Sequence, residues 1–306
     1  MINLFKRNKD NAAASKKRTE SSINEERRNL LSAKSDFFVR EAYKALRTNV
    51  SFALTDEEKC NVIVVTSSMQ GEGKSITAMN LAISYAMTDR KVLVIDCDLR
   101  RPKVSRLLQM NSKVGLSNLI MNSELKDEAI LHTDVEGLDV ILAGDIPPNP
   151  SELLGSPKMQ QIISDLRESY DYIFLDSPPV NMVTDAVVLA PQSNGVLFLV
   201  RANHAERGGV VHAVEQLEYA KAKILGFVLN DVDMEKTHYA YGKYRYKGYM
   251  KYGKYRRYSR YGYGYGYGYR RHGYGYGYGH GHGNVHMPAM QNEGAETQRQ
   301  QEADVQ

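Results

Sequence analysis

Few sequence features restrict a fold as tightly as a β-branched apolar run that ends in a glycine-rich turn and a Lys-Ser pair. Here NVIVVTS (61–67) runs into Ser68-Met69-Gln70-Gly71-Glu72-Gly73-Lys74-Ser75, and the helical pattern ITAMNLAISYAM follows. Strand, turn and helix in that order form a phosphate-binding loop. Gly71 and Gly73 let backbone N–H groups, that of Glu72 among them, converge on phosphate oxygens, and the start of the helix adds positive potential. Lys74 is then placed to reach the β- and γ-phosphates of ATP, and the Ser75 hydroxyl to ligate Mg2+. Ser68 stands where such loops usually begin with glycine, so the loop is a variant.

The surrounding sequence suits that loop. Five more apolar runs rich in β-branched residues follow: KVLVIDC (91–97), LDVILAG (138–144), DYIFLDS (171–177), GVLFLVR (195–201) and ILGFVLN (224–230). They are apolar on both faces, as strands of a covered parallel sheet must be. Helical patterns fall at about 74–88, 156–169, 183–190 and 206–221. This alternation predicts an α/β fold, a doubly wound and mostly parallel sheet of the P-loop NTPase type. Ahead of it, Asp36 to Leu54 reads as an amphipathic helix, and residues 1–35 as a mobile polar arm. Two strand ends carry acids: Asp96-Cys97-Asp98-Leu99-Arg100-Arg101-Pro102 and Asp176-Ser177-Pro178-Pro179. Carboxylates at the C-terminal ends of parallel strands face the crevice where ligands sit, so Asp176 reads as a Walker B acid near Mg2+. PPNPSELL (147–154) has a plain structural reading: prolines fix a turn, Asn149 or Ser151 caps, and SELL begins a helix. Cys60 and Cys97 read as small buried hydrophobes.

From about residue 236 the composition changes. Residues 236–292 hold 11 Lys/Arg and no Asp or Glu, whereas residues 1–235 sum to −4 and the last 14 residues, an acidic and polar end (293–306), to −3. The basic stretch contains 16 of the 21 tyrosines: Tyr239, Tyr241, Tyr244, Tyr246, Tyr249, Tyr252, Tyr255, Tyr258, Tyr261, Tyr263, Tyr265, Tyr267, Tyr269, Tyr274, Tyr276 and Tyr278. With glycine at alternate positions and no aliphatic partners, it lacks the material for a packed core and reads as disordered when free. The other five tyrosines have helical or strand positions: Tyr43, Tyr85 and Tyr219 in helices, Tyr170 and Tyr172 at the start of a strand where packing would hide them. No apolar run reaches the 18 residues of a membrane helix, and the N-terminus lacks a signal-peptide core. A cytoplasmic chain is expected.

Together SSMQGEGKS, VLVIDCDLRRP, YIFLDSPP, AGDIPPNPSELL and the tyrosine-rich C-terminus resemble the bacterial tyrosine kinases of capsule and exopolysaccharide operons, the BY-kinases, over about residues 37–278. The resemblance implies ATP and Mg2+ at Gly71, Gly73, Lys74 and Ser75. It implies shared work for Asp96 and Asp98 in holding Mg2+ and activating a tyrosine hydroxyl, with Asp96 favoured as the base. It implies an adenine contact at Asn230, autophosphorylation of the tail tyrosines, and control of capsule or exopolysaccharide synthesis and export. Lacking a membrane span, the chain resembles the Gram-positive branch, in which a transmembrane activator of the polysaccharide co-polymerase type recruits the kinase to the inner face of the plasma membrane. A tyrosine phosphatase acts there as antagonist. The family's assembly motif, Glu-Arg-Arg at spacing three, reads Glu41, Lys44, Arg47 on the helix at about 37–54, which implies a homo-oligomeric ring. Lysine at 44 lacks the bidentate fork of arginine and would weaken such a contact; a solvated helix face is the plain reading of the trio.

Two rival readings share features. A partition or positioning ATPase of the ParA/MinD type has the same fold and loop order, but carries a lysine five residues before the loop lysine, where this chain has Met69, and lacks a tyrosine tail. A pure binding module would use the tail's basic and aromatic residues on single-stranded nucleic acid; with a complete phosphate loop upstream, nucleic acid is not the expected partner.

Overall fold

A strand such as Val62-Ile63-Val64-Val65 offers water no polar face, so it is stable only with helices on both sides. The computed structural model, which describes residues 27–54 and 59–232, shows those four residues fully buried. Seven strands build one sheet: β1 (Asn61–Ser67), β2 (Val92–Asp96), β3 (Ile130–His132), β4 (Leu138–Ile141), β5 (Tyr172–Asp176), β6 (Gly195–Arg201) and β7 (Ile224–Asn230). Their order is β3-β4-β2-β5-β1-β6-β7. Every pairing is parallel except β3 with β4.

Nine α-helices are described: α1 (Phe37–Ala53), α2 (Lys74–Ala86), α3 (Val104–Leu108), α4 (Leu116–Met121), α5 (Lys126–Ala129), α6 (Pro150–Leu154), α7 (Pro157–Arg167), α8 (Asp185–Leu189) and α9 (Arg207–Tyr219). Two apolar cores result. One packs Ile63, Val65, Val94 and Phe174 of the sheet against Met79 and Ile83 of α2, Val50 of α1 and Leu107 of α3. The other packs Val64, Ile95, Leu175 and Phe198 against α4, α7, α8 and α9 through Leu119, Ile163, Leu189 and Leu217. Both cysteines are buried and neither is in a disulfide.

The doubly wound sheet stands as expected, with differences at the margins. Three strands end earlier than their apolar runs; after β4 the carbonyls of Leu142 and Ala143 accept instead from Leu116 N and Ser117 N at the start of α4. β3 is three residues long and partly exposed, too short for any periodicity to mark it. Residues 27–35 do not behave as a mobile arm: Leu31 is buried, its N–H donates to Asn80 Oδ1 at 2.7 Å, and Asn80 Nδ2 donates to the Asn29 carbonyl at 2.9 Å. Of the two tyrosines at the start of β5, Tyr170 is buried and Tyr172 half-buried, whereas Tyr219 at the end of α9 is 94% exposed. The arm before residue 27 and the tail, with all its candidate acceptor tyrosines, lie outside the described residues.

Candidate active site

The loop after β1 needs two left-handed residues, and glycine occupies both: Gly71 at φ 86° and Gly73 at φ 89°. A Cβ at Gly73 would also stand 2.2 Å from Asn230 Nδ2. Gly73 is the N-cap of α2 and supplies no side-chain cap, so the first N–H groups of this 13-residue helix remain for a ligand, the arrangement that binds phosphate. Glu72 is wholly buried and braces the loop. Its Oε2 accepts from Ser68 Oγ at 3.0 Å and Met69 N at 2.6 Å, and its Oε1 accepts from Arg201 N at 3.3 Å. Ser68, in place of the usual glycine, is thus the donor to that brace. Asn230, at the end of β7, donates Nδ2 to the Glu72 carbonyl at 2.9 Å.

Lys74 opens α2 and is buried. Burial lowers the proton affinity of its amine, and Asp176 and Asp98 counteract the loss. Those acids arrive from neighbouring strands, since Asp96 and Asp176 are register partners across β2 and β5. The strand ends are locked together by Cys97 N donating to the Asp176 carbonyl at 2.8 Å and Ser177 Oγ to the Val65 carbonyl at 3.0 Å.

The three carboxylates differ in what they face. Asp96 is fully buried and holds the following turn: Oδ1 accepts from Asp98 N at 3.2 Å, and Oδ2 from Lys103 N at 3.2 Å and Val104 N at 3.0 Å. Its proton affinity is raised by burial and then by Asp176. Asp98 is partly buried but keeps some exposed surface; its Oδ1 accepts from Arg101 N at 2.9 Å. Asp176 is 1% exposed; the Ser75 hydroxyl lies close to its carboxylate but outside hydrogen-bond geometry, which leaves both oxygens unmatched. Burial pushes its pKa up to about 6, although Ser75 and Lys74 beside it pull the other way. A buried carboxylate with both oxygens unmatched is costly, and a hard cation at this point removes the cost. Oxygens from Ser75 and Asp176, with Asp98 close by, fit Mg2+, which takes one or two protein carboxylates and completes its shell with water and phosphate. Among the described residues no group of three or more His, Cys, Asp or Glu side chains forms an all-protein metal cage.

The oligomer candidates lie elsewhere on the fold. On α1, Lys44 Nζ pairs with Glu41 Oε1 at 2.8 Å on the exposed side. Arg47 turns toward α2, where Nη1 donates to the Ser84 carbonyl and, at 3.2 Å, to Ser84 Oγ. Three residues near the site carried no sequence signal of their own. Arg201 Nη1 donates to the Gly71 carbonyl at 3.1 Å, His204 Nε2 meets the Gln70 carbonyl at 3.1 Å, and Asp185 is buried beside Arg100. Their partners are distant in sequence, so no spacing could reveal them. Ser151 is no cap; its hydroxyl bonds Asp185 instead, and Asn149 at the start of α6 makes no side-chain cap bond. A groove of about 380 Å³ lined by Lys91, His132, Asp139 and Tyr170 opens at the opposite, N-terminal end of the strands, away from this chemistry.

A glycine cradle at the tip of β1, a buried lysine behind it and unmatched acid at the tip of β5 place the chain in the class of P-loop nucleoside triphosphatases. An AAA domain family matches residues 60–226. The tyrosine-protein kinase YwqD of Bacillus subtilis is 36% identical over 204 residues, 67% of this chain and 85% of that one. The tyrosine-protein kinase CpsD of Streptococcus agalactiae is 34% identical over 206 residues, 67% of this chain and 89% of that one. The solved kinase domain of the Escherichia coli tyrosine kinase ETK is 34% identical with a TM-score of 0.62, over 66% of this chain and 79% of that domain. The chain belongs to the family of bacterial tyrosine-protein kinases.

Proposed function

We propose that this chain transfers the γ-phosphoryl group of ATP to tyrosine hydroxyls, those of its own tail foremost, and thereby regulates capsule or exopolysaccharide synthesis and export. The observation that carries the reading is Asp176, a buried carboxylate with two unmatched oxygens beside Lys74 and Ser75. The glycine loop and the α2 N-terminus bind the phosphates, and Lys74 neutralises the transferring group. Asn230, whose Nδ2 bonds the Glu72 carbonyl of the loop, is the adenine contact in this reading. When bound, Mg2+ neutralises charge on the β- and γ-phosphates, with Ser75, Asp98 and Asp176 to hold it.

The acceptor step forms a bond from tyrosine oxygen to γ-phosphorus and breaks the bond from γ-phosphorus to the β,γ-bridging oxygen, leaving ADP. The hydroxyl proton passes to a carboxylate. Although the resemblance favours Asp96 as base, both Asp96 oxygens accept backbone N–H groups and its side chain is inaccessible. Asp98, partly exposed at the same turn, is the acid an incoming hydroxyl can meet. Partner and location follow from the family resemblance: among the described residues no helix is long and apolar enough to cross a membrane, and a membrane adaptor would bring the kinase to the inner membrane face.

Incubation of the purified chain with Mg2+ and ATP should produce phosphotyrosine, and Lys74→Met should remove it while thermal melting is retained. ATP hydrolysis without phosphotyrosine would favour a partition-type ATPase. Asp98→Asn should abolish transfer without loss of stability, whereas Asp96→Asn should lower stability as well. Addition of the adaptor's cytoplasmic segment should raise the rate; equal rates with and without it would count against that partner.

A further inference from the structure

Asp185, the first residue of α8, has no exposed side-chain surface, and the phosphate chemistry leaves it without a task. Its partner is Arg100, whose Nε donates to Oδ2 and Nη2 to Oδ1, both at 3.2 Å. Ser151 completes the cluster. Its hydroxyl donates to Asp185 Oδ1 at 2.5 Å and accepts from Arg100 Nη2 at 3.0 Å. Three segments meet here. Arg100 belongs to the turn after β2 that carries Asp98, Asp185 follows β5 and its Asp176, and Ser151 belongs to the PPNPSELL loop.

Stability alone does not account for such a cluster. A buried ion pair contributes little net stability compared with apolar side chains of similar volume, because desolvation offsets the attraction. A bidentate guanidinium on a carboxylate does fix direction and distance. The need for that is local. Asp98 and Asp176 repel each other across the crevice, Asp98 sits on an exposed turn, and the acids must stay in place to work on one phosphoryl group. Arg100 anchors the outer bend of that turn to the segment that follows Asp176.

We propose that Asp185 is a positioning residue for phosphoryl transfer: through Arg100 and Ser151 it sets the Asp98 turn against Asp176 and seats the 147–151 loop beside them. The assignment rests on the kinase reading. Arg100 keeps 39% of its side chain exposed.

The test uses the full chain, with a full-length Lys74→Met chain as acceptor, and compares Arg100→Met, Asp185→Asn and the double variant. Melting temperature, ATP affinity, and kcat and KM for phosphotyrosine formation are measured for each. Arg100→Met strands a buried charge, so its melting temperature should fall. The double variant removes that charge and should recover the melting temperature and near wild-type ATP affinity. Its kcat should stay at least about tenfold low, since small misplacements of reacting groups cost that much or more. If kcat returns together with the melting temperature, the cluster is only structural and the assignment is overturned. Ser151→Ala strands no charge and covers the case in which the Arg100 variants fail to fold: kcat should drop at unchanged ATP affinity, and an unchanged kcat overturns the assignment. Wild-type chain that forms no phosphotyrosine overturns the kinase reading, and this assignment with it.

Discussion

Asp176 carries opposing demands. It must be ionised to bind a cation, yet burial favours its neutral form, and its pKa is pushed up to about 6. The unfolded value lies near 3.8, so the folded state binds its proton more tightly than the unfolded state. The corresponding stability is fully present below about pH 3.8 and is lost as pH rises through about 6. In Mg2+-free buffer the wild-type chain should therefore melt below Asp176→Asn at pH 7.5, by an amount on the order of 2–3 kcal/mol. The gap should narrow to about 1 kcal/mol near pH 4.5 and close below about pH 3.8. Mg2+ with ATP should reverse the order at pH 7.5, because only the carboxylate binds the cation. A gap independent of both pH and Mg2+ would show that Asp176 does not face a metal. Much of this site was legible at the level of single residues. Glycines ahead of Lys-Ser, and acids at the ends of apolar runs, are local patterns with a physical reason for their spacing. Glu72 was not legible as a brace, since its donors Ser68 and Met69 lie in the loop itself while the third, Arg201, arrives from β6.

The N-terminal helix shows how far spacing reaches at the scale of an element. Glu41, Lys44 and Arg47 share spacing three, which suggests one face. Each step of three falls about 60° short of a full turn at 3.6 residues per turn, so by Arg47 the row has rotated about 120° from Glu41, toward α2. Arg47 then bonds Ser84, while Tyr85 OH donates to the Arg47 carbonyl at 3.2 Å. The two ends of the motif accordingly predict different phenotypes. Arg47→Ala should cost about 1.5–3 kcal/mol through the lost charge-assisted bonds, visible as a melting shift of several degrees. Lys44→Ala breaks only an exposed pair and should cost less than about 1 kcal/mol. If α1 forms a ring contact, Lys44→Ala or Glu41→Ala should lower the sedimenting mass at unchanged melting temperature. Mass unchanged in both would remove α1 from the contact. The Asn80 clamp on residues 29–31 escaped the sequence for a related reason: a polar stretch shows no periodicity, and its one buried residue, Leu31, is held by a side chain 49 positions away.

At the scale of the whole molecule, the sequence divides its charge unevenly. Residues 1–235 carry −4 and residues 236–292 carry +11. On the proposed autophosphorylation, each phosphate adds about −1.5 to −2, and roughly six or seven would cancel the positive charge of that stretch. Among the other tyrosines, Tyr85 and Tyr170 are buried, whereas Tyr219 is 94% exposed and serves as an internal comparison: accessibility alone would label it. An extended stretch of about 40 residues reaches over ~100 Å at ~3.3 Å per residue, far enough for another subunit's site. Transfer between subunits is therefore expected. Mixing a full-length Lys74→Met chain with an active chain truncated after Glu235, then mapping phosphotyrosine by mass spectrometry, should find label on the inactive chain between Tyr239 and Tyr278. Raising the salt concentration should slow that labelling, since the attraction between oppositely charged surfaces is screened within about 10 Å at 0.1 M. Label confined to Tyr219 and the other domain tyrosines would show that exposure, and not the basic tail, selects the acceptor.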